Sequence, residues 1–334
     1  MSHSAARPGI TPPAATPPNE KPRDGRQAAV SGPKQALRGV GLGILAGIIG
    51  LGPWVVTGMQ LPLQNLWADM TLPEDMPRAA LPLSQYLGIT LVALLVTGGL
   101  IAGLAVRWWA PARQGHALLC AAAGLLLVQM AATVQSFGVL ETGLGAGSLS
   151  QLYLGGLLAG VLASIAVALL VVVLVGSRKP ALVTLGISGA AVPAGIWLLE
   201  WANAPFSING LPPALYLIDN WFPALLIGAA LAWCGAGTAG RAAVWVASLG
   251  ILWLLPPLFD GVSYALGSRV LRGDLAQMLQ AASDAFALSI GGREVWLPVL
   301  AAVVIGVVGA LVLQRAPGRG AAEANHSQDR KGLA

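Results

Sequence analysis

The sequence predicts an all-α fold: a polytopic transmembrane helical bundle of about eight spans with both termini cytoplasmic. Three observations predict it. Between residues 39 and 314 the chain is a series of apolar runs, each near the roughly 20 residues that a spanning helix needs. Nearly every charged residue falls between those runs. The sign of the charge also alternates from gap to gap. Arg38, then Arg107 and Arg113, then Arg178 and Lys179, then Arg241, then Arg315 and Arg319 occupy one set. The other set is mostly acidic: Asp69, Glu74 and Asp75, then Glu141, then Glu200 and Asp219, then Asp260, Asp274, Asp284 and Glu294. Lys and Arg near span ends concentrate on the cytoplasmic side, so the first set is read as inside. The bilayer is therefore the expected partner, and a bacterial plasma membrane the expected location.

Composition sharpens this. Only 10% of the 334 residues are charged and 56% are hydrophobic, against about 25% charged in a soluble domain. The net charge of +5 is spread over tails and one set of loops. It fits an anionic lipid leaflet and gives no basic face for nucleic acid. Cys120 and Cys234 lie apart and form no CxxC pair, and zinc needs about four ligands. No metal or cofactor is expected.

Residues 1–37 hold seven prolines among Ser, Ala and scattered charges, and lack an apolar period. Such a segment cannot bury enough surface to offset its ordering entropy and is read as a disordered basic tail, not a signal peptide. Residues 316–334 are read as a second cytoplasmic tail. In the domain between them, 38–315, spans are expected near 39–59, 86–106, 115–136, 151–176, 181–200, 221–238, 242–259 and 295–314. The sixth and seventh are short and divided only by a turn around Arg241, so 221–259 is open to a single long hairpin. Tryptophans near both ends of the spans match the two interfacial belts of a membrane protein. In the last outer loop, residues 274–288 place Leu275, Met278, Leu279, Ala282 and Phe286 at helical spacing. Asp274 stands where a carboxylate caps free N–H groups, so an interfacial amphipathic helix is expected there.

Four features could carry function. Small residues recur every four positions, as Gly39, Gly43 and Gly47 in the first span and Gly156, Gly160 and Ser164 in the fourth. Such ridges let helices approach closely, either within the bundle or against a membrane-protein partner. Pro53, Pro193, Pro256 and Pro257 can break or kink their helices and splay the bundle toward the outside, or serve as ordinary packing kinks. Gln129, Thr133 and Ser136 form the most polar stripe within any span, suited to a neutral solute or to interhelical hydrogen bonds. Glu200 and Asp260 stand at outer span ends, where they could form an acidic cation site or simply meet headgroup water.

Catalytic chemistry is not expected. Gly186-Ile187-Ser188-Gly189 resembles the GxSG motif of rhomboid intramembrane proteases, but over four residues only. A serine nucleophile needs a base within reach, and the one histidine near a span, His116, is at the inner end of the third span, whereas Ser188 lies well into the fifth. Two functional readings remain: a subunit or scaffold of a cell-envelope membrane complex, or a permease for a neutral solute or lipid with an outward-facing vestibule.

Overall fold

The computed structural model describes residues 25–109, 114–206, 212–268 and 274–315. Ten helices follow one another among them: α1 (Gly25–Gly50), α2 (Gly52–Val56), α3 (Gly88–Trp109), α4 (Gln114–Gly143), α5 (Ser148–Val175), α6 (Pro180–Phe206), α7 (Tyr216–Cys234), α8 (Ala239–Gly267), α9 (Leu275–Ser289) and α10 (Arg293–Arg315). Seven of them, α3 to α8 and α10, are long and apolar enough to cross a membrane. The fold is thus an all-α helical membrane bundle, with seven such helices where eight spans are expected.

The missing eighth is a matter of continuity. The first expected span, 39–59, is built by the second half of α1 and the short α2. Pro53 sits at the start of α2, and a proline has no N–H for the ladder, so the two pieces meet at Leu51. The indole of Trp197 on α6 donates to the Gly50 carbonyl there at 2.8 Å. The pair still runs the full thickness of the bundle. The Arg38 guanidinium lies 5.5 Å from the ring centre of Trp109, the last residue of α3, while Thr57 closes α2 at the other face.

Other boundaries differ from those read in the sequence. Helix α1 begins at Gly25, inside the stretch 1–37 assigned to a disordered tail; residues 1–24 and the tail 316–334 lie outside the described residues. Helix α8 does not end at Pro256 and Pro257 but continues to Gly267, and α6 runs through Pro193 to Phe206. Of the four expected breaks, only Pro53 coincides with one. A proline in an apolar helix frees a carbonyl without ending the helix, because neighbouring groups satisfy the ladder. Segment 221–259 is two helices. Gly235, with φ of +68°, ends α7 in a conformation that glycine adopts without strain. Thr238 then caps α8 by accepting from the Arg241 N–H at 3.3 Å.

Chain direction alternates, so the acidic connections gather at one face and the basic ones at the other. At the basic face the Arg107 guanidinium lies over the ring of Trp233 at 4.9 Å and donates to the Ser177 carbonyl at 2.7 Å. The acidic face is covered by a cap, residues 57–87. Four prolines (Pro62, Pro73, Pro77 and Pro82) hold it out of long helix. Two of its strands of chain pair by Leu61 N–H to the Pro77 carbonyl and Ala79 N–H to the Met59 carbonyl, each at 2.9 Å. Leu61, Met76, Leu81 and Leu83 are buried and pack with Leu91, Leu94, Leu140 and Val161 of α3, α4 and α5. The cap is therefore part of the core of one half of the molecule, made with α1, α3, α4 and α5. Helices α6, α7, α8 and α10 form the other half around Ala191, Ile227, Leu231 and Leu252. Helix α9 lies against α8, capped by Asp274, which accepts from the Gln277 N–H at 3.0 Å. This is the amphipathic helix expected from the sequence.

Candidate functional site: a groove beneath the cap

Two helices that the halves hold apart make a concavity. Helices α5 and α8 do not pack extensively on each other. Between them, floored by α3 and roofed by the cap and α9, is a groove of about 440 Å³. That is within the range of roughly 300–1,000 Å³ usual for small-molecule sites. Leu149, Leu152, Tyr153, Gly156, Leu157, Gly160 and Ser164 of α5 form one wall; Val262 and Leu266 of α8 with Met278 of α9 form the other. Leu149, Leu152, Gly156, Gly160 and Val262 are exposed, so the groove opens along the apolar side of α5. From Leu149 to Ser164 it follows the helix for about 22 Å at 1.5 Å per residue.

Glycine makes the room. A Cβ at Gly156 or Gly160 would meet nothing within 4 Å, so these two positions are an empty trough along α5. The expected packing ridge Gly156, Gly160 and Ser164 therefore lines a cavity; the Ser164 hydroxyl turns back to the Gly160 carbonyl at 2.8 Å. Gly39, Gly43 and Gly47 behave oppositely. A Cβ at Gly43 would strike the Ala121 carbonyl, and one at Gly124 would strike the Val40 carbonyl. That ridge is filled by α4.

Among the described residues, and apart from Ser164, the polar side chains of the groove gather at its cap end, where Gln64, Asn65, Ser84, Gln85, Tyr86 and Tyr153 meet. Tyr153 donates to Gln64 Oε1 at 2.7 Å, and Gln64 Nε2 donates to the Leu83 and Pro62 carbonyls at 3.0 and 2.8 Å. Asn65 Nδ2 donates to the Tyr86 hydroxyl at 2.8 Å. Gln85 Nε2 is buried and meets no partner.

A smaller cavity of about 250 Å³ lies between α7, α8 and α10, lined by Asp219, Asp260 and Glu294 and by Pro223, Pro256 and Pro298. Each proline stands four residues after a residue of the same lining, namely Asp219, Leu252 and Glu294. A proline cannot donate to the carbonyl one turn back, so three helical carbonyls lack that donor at this cavity. Ser289 of α9 donates to Asp260 Oδ2 at 2.6 Å. Among the described residues, no group of three or more His, Cys, Asp or Glu is placed to hold a metal ion.

The residues singled out in the sequence are distributed differently from the expected vestibule. Gln129, Thr133 and Ser136 are buried and bonded to protein: Gln129 Nε2 to the Leu95 carbonyl at 2.9 Å, Thr133 to the Gln129 carbonyl at 2.7 Å, and Ser136 from the Leu81 N–H at 2.8 Å. None lines either cavity. Glu200 and Asp260 are not brought together; Glu200 accepts from Thr90 at 2.9 Å, whereas Asp260 faces the smaller cavity. Pro256 lines that cavity, while Pro53, Pro193 and Pro257 are buried away from both. Ser188 donates to the Thr184 carbonyl at 2.8 Å. Sequence reasoning missed Gln64, Gln85 and Tyr153. The signal for Gln64 and Gln85 was the repeated Leu-Pro-Leu of 61–63 and 81–83, each followed closely by polar residues; Tyr153 had none.

Comparison with protein-family models, with curated proteins and with solved structures finds no match. The chain is a multi-pass membrane protein on the evidence of its seven apolar helices, and its function has to be argued from the site.

Proposed function

We propose that this protein binds a membrane amphiphile in the groove between α5 and α8, from the outer leaflet of a bacterial plasma membrane, without catalytic chemistry of its own. In this reading both termini are cytoplasmic and the cap faces outward. One observation carries it: among the described residues the groove is largely apolar along α5, opens sideways along a membrane-spanning segment, and gathers its polar side chains, Ser164 apart, at the end beneath the cap. A solute drawn from water would need a polar path through the bundle. A lipid needs a lateral opening and one wet end, which is this arrangement.

The permease reading in its lipid form is favoured over that of a scaffold. A scaffold docking through glycine ridges needs them free. The Gly43 ridge is occupied by α4, which leaves only the Gly156 ridge for a partner, and that one borders the groove. The neutral-solute form loses support too, because the Gln129 stripe is spent on internal hydrogen bonds.

The test is extraction of the purified protein from mild detergent, with bound lipid quantified by mass spectrometry. Wild type should retain an amphiphile in near-stoichiometric amount. Gly160→Phe fills open space on a helix that tolerates it and should lose that amphiphile with the thermal midpoint unchanged. Retention unaffected by Gly160→Phe, or a stoichiometric protein partner with no lipid, would overturn the reading.

A further inference from the structure

We infer that the cavity between α7, α8 and α10 binds a small organic cation at the acidic face, independently of what the groove holds. The cation's apolar body points inward and its charge sits among Asp219, Asp260 and Glu294.

The two halves of the bundle are one arrangement used twice. In each, the first helix packs on the second and third, the second packs on the fourth, and the first and fourth stay apart. The helices are α1, α3, α4 and α5 in one half and α6, α7, α8 and α10 in the other. Close approaches fix which positions correspond. A Cβ at Gly103 of α3 would meet Val175 Cβ at 2.8 Å and the Val172 carbonyl at 3.2 Å, both on α5. One at Gly228 of α7 would meet Ile305 Cβ at 2.8 Å and the Ala302 carbonyl at 3.1 Å, both on α10. Gly50 of α1 likewise abuts the Leu94 carbonyl and Gly98, and Gly195 of α6 abuts the Asp219 carbonyl and Pro223. Both contacts pair α3 with α7 in the same register. On the third helices, Val128 beside Gly47 corresponds to Leu252, which clusters with Val192.

That correspondence places the cavity where the other half seats its cap. Leu51, Leu94, Val128, Ala132 and Ile165 pack in the core that takes in Leu81 and Leu83. Their counterparts are Ile196, Asp219, Leu252, Pro256 and Val295, and all five line the cavity. Ser136, which accepts the Leu81 N–H, corresponds to Asp260. One half thus fills this place with an inserted segment of chain. The other encloses about 250 Å³ there, and its connection 207–215 takes the position in the chain of the cap's 57–87.

The differences between the two seats say what fits the second. Leu94, Ser136 and Ser164 have Asp219, Asp260 and Glu294 as counterparts, so the cavity gains three carboxylates. Asp260 and Glu294 are exposed while Leu252 and Val295 are buried, which puts charge at the mouth and apolar side chains at the floor. No Lys or Arg is among the described lining residues, and the carboxylates are not placed to share one metal ion. A carboxylate beside apolar walls attracts a cation more strongly than one in water. An ammonium on an apolar stem matches both ends of the site.

The test is calorimetric titration of the full-length protein in phosphatidylcholine nanodiscs, with protein-free discs subtracted. The probes are benzylammonium and its uncharged isostere benzyl alcohol. Wild type should bind benzylammonium saturably at one site, at least roughly tenfold more tightly than the alcohol. Asp219→Asn and Glu294→Gln should each weaken it roughly tenfold, the worth of one hydrogen bond to a charged group. Glu200→Gln, at a carboxylate bonded to Thr90 away from the cavity, should leave binding unchanged. Equal affinity for the alcohol, no saturable binding of benzylammonium, or an equal loss in Glu200→Gln would overturn the assignment. Lipid retained in the α5 groove should be the same in all these variants, so the two readings fail separately.

Discussion

The hydroxyl of Ser136, fully buried on α4, accepts a hydrogen bond from the backbone N–H of Leu81 in the cap at 2.8 Å. One residue earlier, Gln135 Oε1 accepts from the Ala80 N–H, also at 2.8 Å. A helix whose carbonyls are all used internally has only side chains with which to hold an irregular segment. These two side chains fasten the turn that carries Leu81 and Leu83 into the core. What the sequence presents as a polar stripe for a solute is thus the attachment of the groove's roof.

Ser136→Ala should therefore act on the cap and not on transport through the bundle. It strands a buried N–H, at a cost of about 1–3 kcal/mol. Hydrogen exchange at residues 79–83 should rise and the thermal midpoint in detergent should fall, with helical content kept. Unchanged protection at Leu81 would show that the bond does not hold the cap.

The contact of α1 with α4 gives a sharper contrast. Gly43 and Gly124 meet reciprocal carbonyls, so a methyl group at either has no space; Gly41, two residues away, faces nothing within 4 Å. Gly43→Ala and Gly124→Ala should each destabilise by about 1–3 kcal/mol. Gly41→Ala should be neutral or stabilising by roughly 0.5–1 kcal/mol, since alanine favours helix. Equal effects at all three positions would mean that the helices do not cross there.

The legible parts of this molecule are those that obey a single period. Apolar runs bounded by charges marked the seven long helices, and helical spacing with a capping Asp274 marked α9. The cap was illegible because its order is tertiary. Leu61, Leu81 and Leu83 are buried by helices remote in sequence, and prolines deny them any helical period. The glycine ridges were legible as close-packing sequences but not as to what packs there, since Gly43 and Gly160 carry the same local signal. Which one meets a helix and which one meets empty space depends on where α4 and α8 lie. Proline likewise marks a lost donor, and only the neighbours decide between the break at Pro53 and the unbroken α8.

Gln129 separates the two meanings of an intramembrane amide. Its Nε2 is bonded to the Leu95 carbonyl, while its Oε1 is buried without a partner. Gln129→Leu loses one interhelical bond, worth about 0.6 kcal/mol on average in membranes, and removes one orphan acceptor. The two terms oppose each other, so unfolding free energy in detergent should change by less than about 1 kcal/mol, with bound lipid unaltered. A loss of lipid binding without a change in stability would give Gln129 a role in the site that its hydrogen bonds do not indicate.

The orientation turns on α1. Seven crossings put the two termini on opposite sides; an eighth through α1 and α2 puts them together. From Arg38 to Val56 is 19 residues by their numbers, about 28 Å as helix, close to the roughly 30 Å of the hydrocarbon core. Arg38 reaches the level of Trp109 at the basic face, so α1 with α2 is as deep as α3. Reporters fused after Arg26 and after Arg315 should both read cytoplasmic, as should one after Lys179, while one after Asp284 should read external. The N-terminal fusion decides the matter. If it reads external while that after Lys179 reads cytoplasmic, α1 lies against the bundle without crossing the bilayer.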